Sequence, residues 1–480
     1  MRIQIFVFMA MLVLLSACNQ KPPATQESFP YTVTKETKDR ELSAAMYRSF
    51  YQYSGIHAAE NELYTQYKYT RLEGLDYHNH DGSISRRDPS KIIYENGKFY
   101  VWYTYRNTPS IPLGPDQCND TIPSTDWDLC EIWYATSEDG FFWEEQGVAV
   151  PRPPKPKVGW RSVSTTDILK WEGKYYLYYQ GFMEASGKRG DYCPVALSYA
   201  DSPDGPWTPA NEIIIPNGPE GSWDQYAIHD PYPLVHEGKI YLYYKSAFNR
   251  PGNVWVAGGL AIAEDPLGPF EKHPLNPVLN SGHEVSLFPF KEGVAAIMVK
   301  DGNEHYTINY ASDWVNFQVA SYCELVPIAP GPFVPDAFTN TTNGQGISWG
   351  LSHFTNAGKN GVNQHSILAR FDCDLSQDLH DPVMKKTGVW HNPDVYFKQG
   401  LNEKQREERS GPYSIIKDPA LPEIVSDYML IYKPQADVFT LEDTEYYRKG
   451  KTYSTWKTND HTYLKGPDNR WHSFGITKPD

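Results

Sequence analysis

A chain of 480 residues is too long for one ordinary core unless that core is a repeat array closed on itself. It is 40% hydrophobic and 14% aromatic, with 35 Tyr and 14 Trp, which is ample for burial and rich in residues that favour strands and can stack on sugar rings. The net charge of −15 argues against a nucleic-acid groove, which needs Lys and Arg to displace counterions, and leaves a neutral polymer as the easier partner.

Met1-Arg2 is a short basic start. Residues 3–15 are an apolar run too short to span a bilayer but long enough for the core of a signal peptide. The run ends in Leu15-Ser16-Ala17-Cys18, which resembles a bacterial lipobox. That resemblance implies cleavage after residue 17 and a lipid on Cys18. Residues 19–37 then read as a polar tether. The expected location is the periplasm or cell surface, with membrane contact only through the anchor; Asn19 after the Cys, where Asp would signal otherwise, points to the outer membrane. Residues 38–70 predict a helical hairpin: Leu42, Met46 and Phe50 share one face, Gly55 breaks the run, and residues 58–67 resume it.

From residue 71 to 378 one pattern recurs five times: an acid, an apolar strand, a tight turn with Gly, then an aromatic strand. Asp88-Pro89-Ser90-Lys91-Ile92-Ile93-Tyr94 leads through Asn96-Gly97 to Phe99-Tyr100-Val101-Trp102-Tyr103. Asp167 leads through Glu172-Gly173 to Tyr175-Tyr176-Leu177-Tyr178-Tyr179, and Asp230 through Glu237-Gly238 to Ile240-Tyr241-Leu242-Tyr243-Tyr244. The fourth copy is looser (Glu284, then Glu292-Gly293), and the fifth, from Asp336 through Asn343-Gly344, is the weakest. A third and fourth strand follow each aromatic strand. Repeats of four strands in fixed order cannot bury their faces alone and must stack, so the expectation is an all-β, five-bladed β-propeller. Residues 379–480 lose the repeat and read as a C-terminal extension, with a charged helical stretch at 402–410 and a strand-like piece at 428–432. Beyond Cys18 five cysteines remain; Cys118 and Cys130 flank an acidic, Pro-rich insertion and are placed to pair.

In a propeller the residues opening the innermost strands surround one rim. Asp88, Asp167, Asp230 and Glu284, far apart in sequence, should therefore converge. Clustered carboxylates shift one another's pKa values, and paired carboxylates across a sugar cleave glycosidic bonds. From the residues alone, Glu284 is the natural proton donor. Thr166 and Asp167 are candidates to bind sugar hydroxyls. So are Gln180 and Lys245, which end matching strands, and His229 beside Asp230. Trp160, in a Pro- and Gly-rich loop, is a candidate stacking platform.

Three blocks carry a family resemblance: Ser85-Arg86-Arg87-Asp88-Pro89-Ser90-Lys91, Ile228-His229-Asp230-Pro231-Tyr232-Pro233 and Gly282-His283-Glu284-Val285-Ser286. Together with the N-terminal helical segment they resemble glycoside hydrolase family 117, the α-1,3-(3,6-anhydro)-L-galactosidases, over about residues 38–378. The resemblance implies an exo-acting, inverting hydrolase that releases 3,6-anhydro-L-galactose from the non-reducing end of neoagaro-oligosaccharides. It makes Asp88 the general base and Asp230 the residue that orients and tunes the acid, and it maps the acid onto His283; His283 and Glu284 both stay candidates. Inversion predicts acid and base roughly 6.5–9.5 Å apart. The resemblance also implies a homodimer through the helical segment, with a partner's tail and its His391 completing the site. No cofactor is required; a divalent cation in the channel is allowed, although no ligand motif demands one. The alternatives are a family-43-like arabinofuranosidase or xylosidase, a hydrolase of carrageenan fragments, and a glycan-binding propeller that cleaves nothing.

Overall fold

The computed structural model describes residues 41–51, 62–75, 81–187, 193–250, 253–299, 306–323, 325–357, 363–378, 456–465 and 469–479, with Glu304, Met384 and Gly466's neighbour Pro467 besides. The lipobox with Cys18, the tether, Trp390-His391 and residues 402–432 lie outside them. The chain divides into two compact units, Met1–Pro419 and Ala420–Asp480. In the second, strands Trp456–Lys465 and Trp471–Pro479 form an antiparallel hairpin.

The first unit is nearly all-β and of propeller type. The first repeat forms a sheet of Ile84–Arg87, Lys98–Asn107, Glu131–Ser137 and Glu144–Val150, with Ile93–Glu95 also on Lys98–Asn107. The second sheet is Ser162–Trp171, Lys174–Phe182, Val195–Ala200 and Thr208–Pro209. The third is His229–His236, Lys239–Arg250, Asn253–Ala263 and Glu271–Lys272. The turn chemistry is legible in each. Asn96-Gly97, Glu172-Gly173 and Glu237-Gly238 all have positive φ at both positions, as a two-residue hairpin needs to match strand twist. In the fourth repeat the two-residue loop is Lys291-Glu292, with Phe290 paired to Gly293, one residue earlier than the sequence pattern implied.

The fourth and fifth repeats do not form separate sheets. Ser286–Lys291 pairs with Gly344–Ala357 (Phe290 with Gln345, Lys291 with Gly344) and joins both into one eight-stranded sheet. The final strand, Asn363–Ser376, takes Lys68–Arg71 as its neighbour, so a strand from the start of the unit completes the last sheet.

That pairing also corrects the helical hairpin. The first arm forms, as an eight-residue helix Ala44–Tyr51 whose Met46 N–H bonds back to the Ser43 hydroxyl. The second arm does not extend over residues 62–67. This stretch leads into a strand because its aromatic residues bury themselves in the core: Tyr64, Tyr67 and Tyr69 all sit in the largest apolar cluster. Phe338 packs against three of the four apolar clusters, so the weak fifth repeat supplies a shared contact. The expected Cys118–Cys130 pair is absent. Both thiols are free, with Cys118 against the Pro115 carbonyl and Cys130 against those of Asp126 and Asp128.

Candidate active site

Three residues that open inner strands share one uncommon feature. Asp88, Asp230 and Glu284 have φ of 48°, 50° and 58°, in the left-handed region that side chains other than Gly rarely adopt. Thr165 joins them at 42°. Strained backbone at the same place in four repeats aims four side chains into one cavity, and such strain gathers at functional sites. The cavity is lined by Asp88, Thr165, Thr166, Asp167, Asp230 and Glu284 with nearby backbone.

Within the second repeat, the left-handed residue is Thr165 and not Asp167. The same bulge stands in the second and third repeats, between Ser164 and Asp167 and between His229 and Tyr232, so Thr165 matches Asp230 and Asp167 matches Tyr232. Asp167 still lines the cavity, but its oxygens are taken. Oδ1 accepts the Lys91 and Ile168 backbone N–H groups, and Oδ2 is ion-paired to the Lys91 ammonium. That ammonium also lies 3.8 Å from the centre of the Tyr232 ring. Burial pushes the Lys91 ammonium down to about 8 and lifts the Asp167 carboxyl, and each partner counteracts the other's shift. Thr166 donates its hydroxyl to the Tyr178 carbonyl. Of the polar candidates, then, Thr166 and Asp167 are committed to the scaffold.

Asp88 is buried and heavily bonded. Arg87 Nε donates to Oδ2 at 2.8 Å and Arg87 Nη2 to Oδ1 at 3.1 Å. The Thr165 hydroxyl donates to Oδ2 at 3.0 Å, and His353 Nδ1 stands 3.4 Å from Oδ1. Burial opposes the charge, but Arg87, His353 and the hydrogen bonds outweigh it and hold the carboxyl well below the usual range. Asp230 accepts the Glu284 N–H at 3.1 Å through Oδ2, which lies 3.6 Å from Lys245 Nζ. Gln180 ties two repeats together: its amide nitrogen donates to Ser164 and Thr165, and its Oε1 accepts the Asp230 N–H at 3.3 Å. Gln180 and Lys245 do occupy matching places, paired across their sheets with Ser164 and His229. His229 is buried, and desolvation, then Lys245 and His283, hold its imidazole well below its ordinary pKa. His283 Nε2 is 3.6 Å from Glu284 Oε1; the His283 side chain is 28% exposed and that of Glu284 only 3%. Trp160 does not line this cavity and instead has Lys155 over its ring at 4.2 Å.

Asp88, Glu284 and His353 each offer one donor atom, all within 4.8 Å of one another. Two carboxylates and an imidazole suit a divalent ion. As these side chains stand they do not fit one. Both Asp88 oxygens already accept guanidinium N–H groups, Arg87 Nη2 lies 3.5 Å from Glu284 Oε1, and His353 Nδ1 faces the Asp88 N–H at 3.2 Å.

Comparison with known proteins gives the family. The chain is 63% identical to Zg3597, a family 117 glycoside hydrolase produced by the marine bacterium Zobellia galactanivorans, over 71% of this chain and 100% of that one, with a TM-score of 0.66. The chain belongs to glycoside hydrolase family 117. The family model "Glycosyl hydrolases family 43" matches residues 107–258. CoXyl43, a xylosidase/arabinofuranosidase from a compost microbial metagenome, is 17% identical over 62% of this chain and 97% of its own, at a TM-score of 0.42. No curated protein matches. The protein is a glycoside hydrolase.

Several residues of this family 117 site were not singled out by sequence. Arg87 stands inside a quoted block, yet nothing in the pattern separates it from Arg86. The strand does: neighbours point to opposite faces, so Arg86 pairs outward with Glu145 while Arg87 turns to Asp88. Thr165 was masked by the acid two places on. His353, Asp126 and Trp127 carry no local signal.

Proposed function

We propose that the protein is an exo-acting, inverting hydrolase that removes 3,6-anhydro-L-galactose from the non-reducing end of neoagaro-oligosaccharides, working on a five-bladed propeller. The observation that carries this reading is the convergence of Asp88, Asp230 and Glu284, with His283 beside them, in a chain 63% identical to a family 117 enzyme.

Asp88 is the base. It stays ionised, takes a proton from water, and the resulting hydroxide oxygen bonds to the anomeric carbon from the face opposite the leaving group. The glycosidic carbon–oxygen bond breaks as the acid protonates the leaving oxygen. Geometry favours His283 over Glu284 as that acid. The Asp88 and Glu284 donor atoms lie within 4.8 Å, short of the roughly 6.5–9.5 Å that leaves room for a water between them. Glu284 is also buried, whereas His283 is partly open and near enough to be oriented by it. Asp230, held by Lys245 and by the Glu284 N–H, fixes the strand opening that carries His283 and Glu284. His229, Gln180 and Lys245 are proposed to face the sugar hydroxyls.

A lipid on Cys18, an outer-membrane location and a homodimer belong to the same proposal. The match of residues 107–258 to the family 43 model favours an arabinoside or xyloside as the second substrate choice.

The test is product analysis of neoagarobiose treated with protein lacking residues 1–18, beside Asp88→Asn. Release of 3,6-anhydro-L-galactose and galactose by the parent alone is expected. A folded parent that releases nothing overturns the agar reading, and a panel of arabinosides, xylosides and carrageenan oligomers then decides the substrate.

A further inference from the structure

The proposed roles leave Arg87 without one, although it touches more of the site's charge than any of the residues assigned above. Its fork grips Asp88 in two bonds, of 2.8 and 3.1 Å. The same Nη2 reaches to 3.5 Å from Glu284 Oε1, and Nη1 donates to Asp126 Oδ2 at 3.4 Å. The Trp127 ring covers the guanidinium at 4.8 Å. Arg87, Asp88, Asp126 and Glu284 are all buried.

Three carboxylates gathered out of water need compensating charge, since an uncompensated buried ion is costly. The groups facing them come from every neighbouring repeat. Asp126 meets Arg106 at 3.6 Å and accepts the Ser366 hydroxyl at 2.6 Å. Asp88 meets the hydroxyls of Thr104 and Thr165 and the imidazole of His353, and Glu284 meets His283. His229 and the Asp230–Lys245 pair stand nearby. Arg87 bridges Asp88 and Glu284, with the His353 imidazole close to both. A planar fork can fix the plane of a carboxylate as well as its charge, which an ammonium cannot do.

We propose that Arg87 is a positioning residue whose guanidinium locks the carboxylate of the base and holds Glu284, the support of the acid, at a set distance from it. This rests on the reading of Asp88 as the base and His283 as the acid. In this reading Arg87 acts through the carboxylates of Asp88 and Glu284 and not on the sugar, so its loss should appear in turnover and not in binding.

The experiment measures kcat and KM on neoagarobiose for Arg87→Ala, Arg87→Lys and Asp88→Asn, with melting temperatures to establish folding, and repeats Arg87→Ala with millimolar guanidinium chloride. Arg87→Ala should lose about 100-fold or more in kcat with KM within about threefold, because only a transition-state arrangement is lost. Arg87→Lys should recover part of the loss. Added guanidinium should restore Arg87→Ala at least severalfold while leaving Asp88→Asn unchanged. A rise in KM at constant kcat overturns the proposal, and so does a folded Arg87→Ala that guanidinium does not rescue. If Arg87→Ala does not fold, the kcat and KM of Arg87→Lys decide, together with a substrate-free measurement: Arg87→Lys and Asp88→Asn should lower the melting temperature together by less than the sum of their separate effects, and strict additivity overturns the proposal. Full activity of Asp88→Asn would sink the underlying assignment of the base instead, whatever Arg87 does.

Discussion

Asp167→Asn separates scaffold from substrate contact at a position that sequence alone assigned to sugar binding. Asn keeps an acceptor for the Lys91 and Ile168 N–H groups but removes the charge opposite the buried Lys91 ammonium. Burial holds Lys91 down to about 8 in the parent, and without the Asp167 charge the variant must neutralise it at pH 7 or bury it unpaired, at a cost of about 1–2 kcal/mol. Losing the charge-assisted hydrogen bond adds ~1.5 kcal/mol. The total, about 3 kcal/mol, sits at the low end of the ~3–5 kcal/mol for breaking a buried pair, and corresponds to a fall in melting temperature of roughly 5–10 °C. The pH dependence has a definite sign. A lysine depressed in the fold destabilises below its folded pKa, and stability returns as pH rises from that value toward 10.4. In the variant that return begins at lower pH, because Asp167 no longer holds Lys91 up. The gap between parent and variant should therefore be wider at pH 7 than at pH 9. Differential scanning fluorimetry at both pH values measures it, beside kcat/KM at 20 °C, which should stay within about threefold of the parent. An unchanged melting temperature together with a loss of about 100-fold in kcat/KM would refute this reasoning and return Asp167 to the sugar.

Asp88→Asn should lower kcat by about 10²–10⁴-fold, the usual worth of a general base, in a steady-state assay on the cleaved oligosaccharide; a loss under about tenfold would remove Asp88 from that role. Because Arg87 holds Asp88 well below the usual carboxylate range, protonation of the base should not limit kcat/KM until pH falls below about 4; Arg87→Gln should move the acid limb upward, and an unmoved limb refutes the pairing. His283→Gln should be far less damaging on an aryl glycoside with an activated leaving group than on the natural sugar, since such a leaving group needs no acid; equal damage on both would shift the acid role to Glu284. Gly346→Ala should destabilise by at least ~2 kcal/mol, because Gly346 has φ of 86° and an added Cβ would lie 2.0 Å from the Leu375 carbonyl oxygen; an unchanged melting temperature would contradict the pairing of this strand with its neighbour.

The parts of the fold that were legible in sequence are those fixed by neighbours along the chain. Asn96-Gly97, Glu172-Gly173 and Glu237-Gly238 declare their hairpins because the Gly between two apolar strands adopts positive φ at little cost. The junction of the fourth and fifth repeats is different. It rests on Phe290 meeting Gln345 across more than fifty residues, and no local signal announces such a pairing. The misread second helical arm shows tertiary burial overriding local pattern: the arm was expected over residues 58–67, but Tyr64 and Tyr67 enter the core with Tyr69, whose strand joins the last sheet.

The candidate site divides along the same line. Aspartates 88 and 230 and Glu284 were legible because they recur at one place in successive repeats. In the second repeat the acid stands two places further on: the register that aims Asp230 in the third repeat aims Thr165, a hydroxyl that serves Asp88, while Asp167 takes the place of Tyr232 and faces Lys91. A repeat thus carries the scaffold's charge in one copy and the proposed chemistry's charge in the others. Left-handed φ distinguishes the two, since Asp88, Asp230 and Glu284 have it and Asp167 does not. Backbone strain costs stability, so it persists where the surrounding structure imposes it. Asp167, relaxed and fully bonded, is placed where it stabilises the sheet; the three strained acids are held where a substrate would meet them.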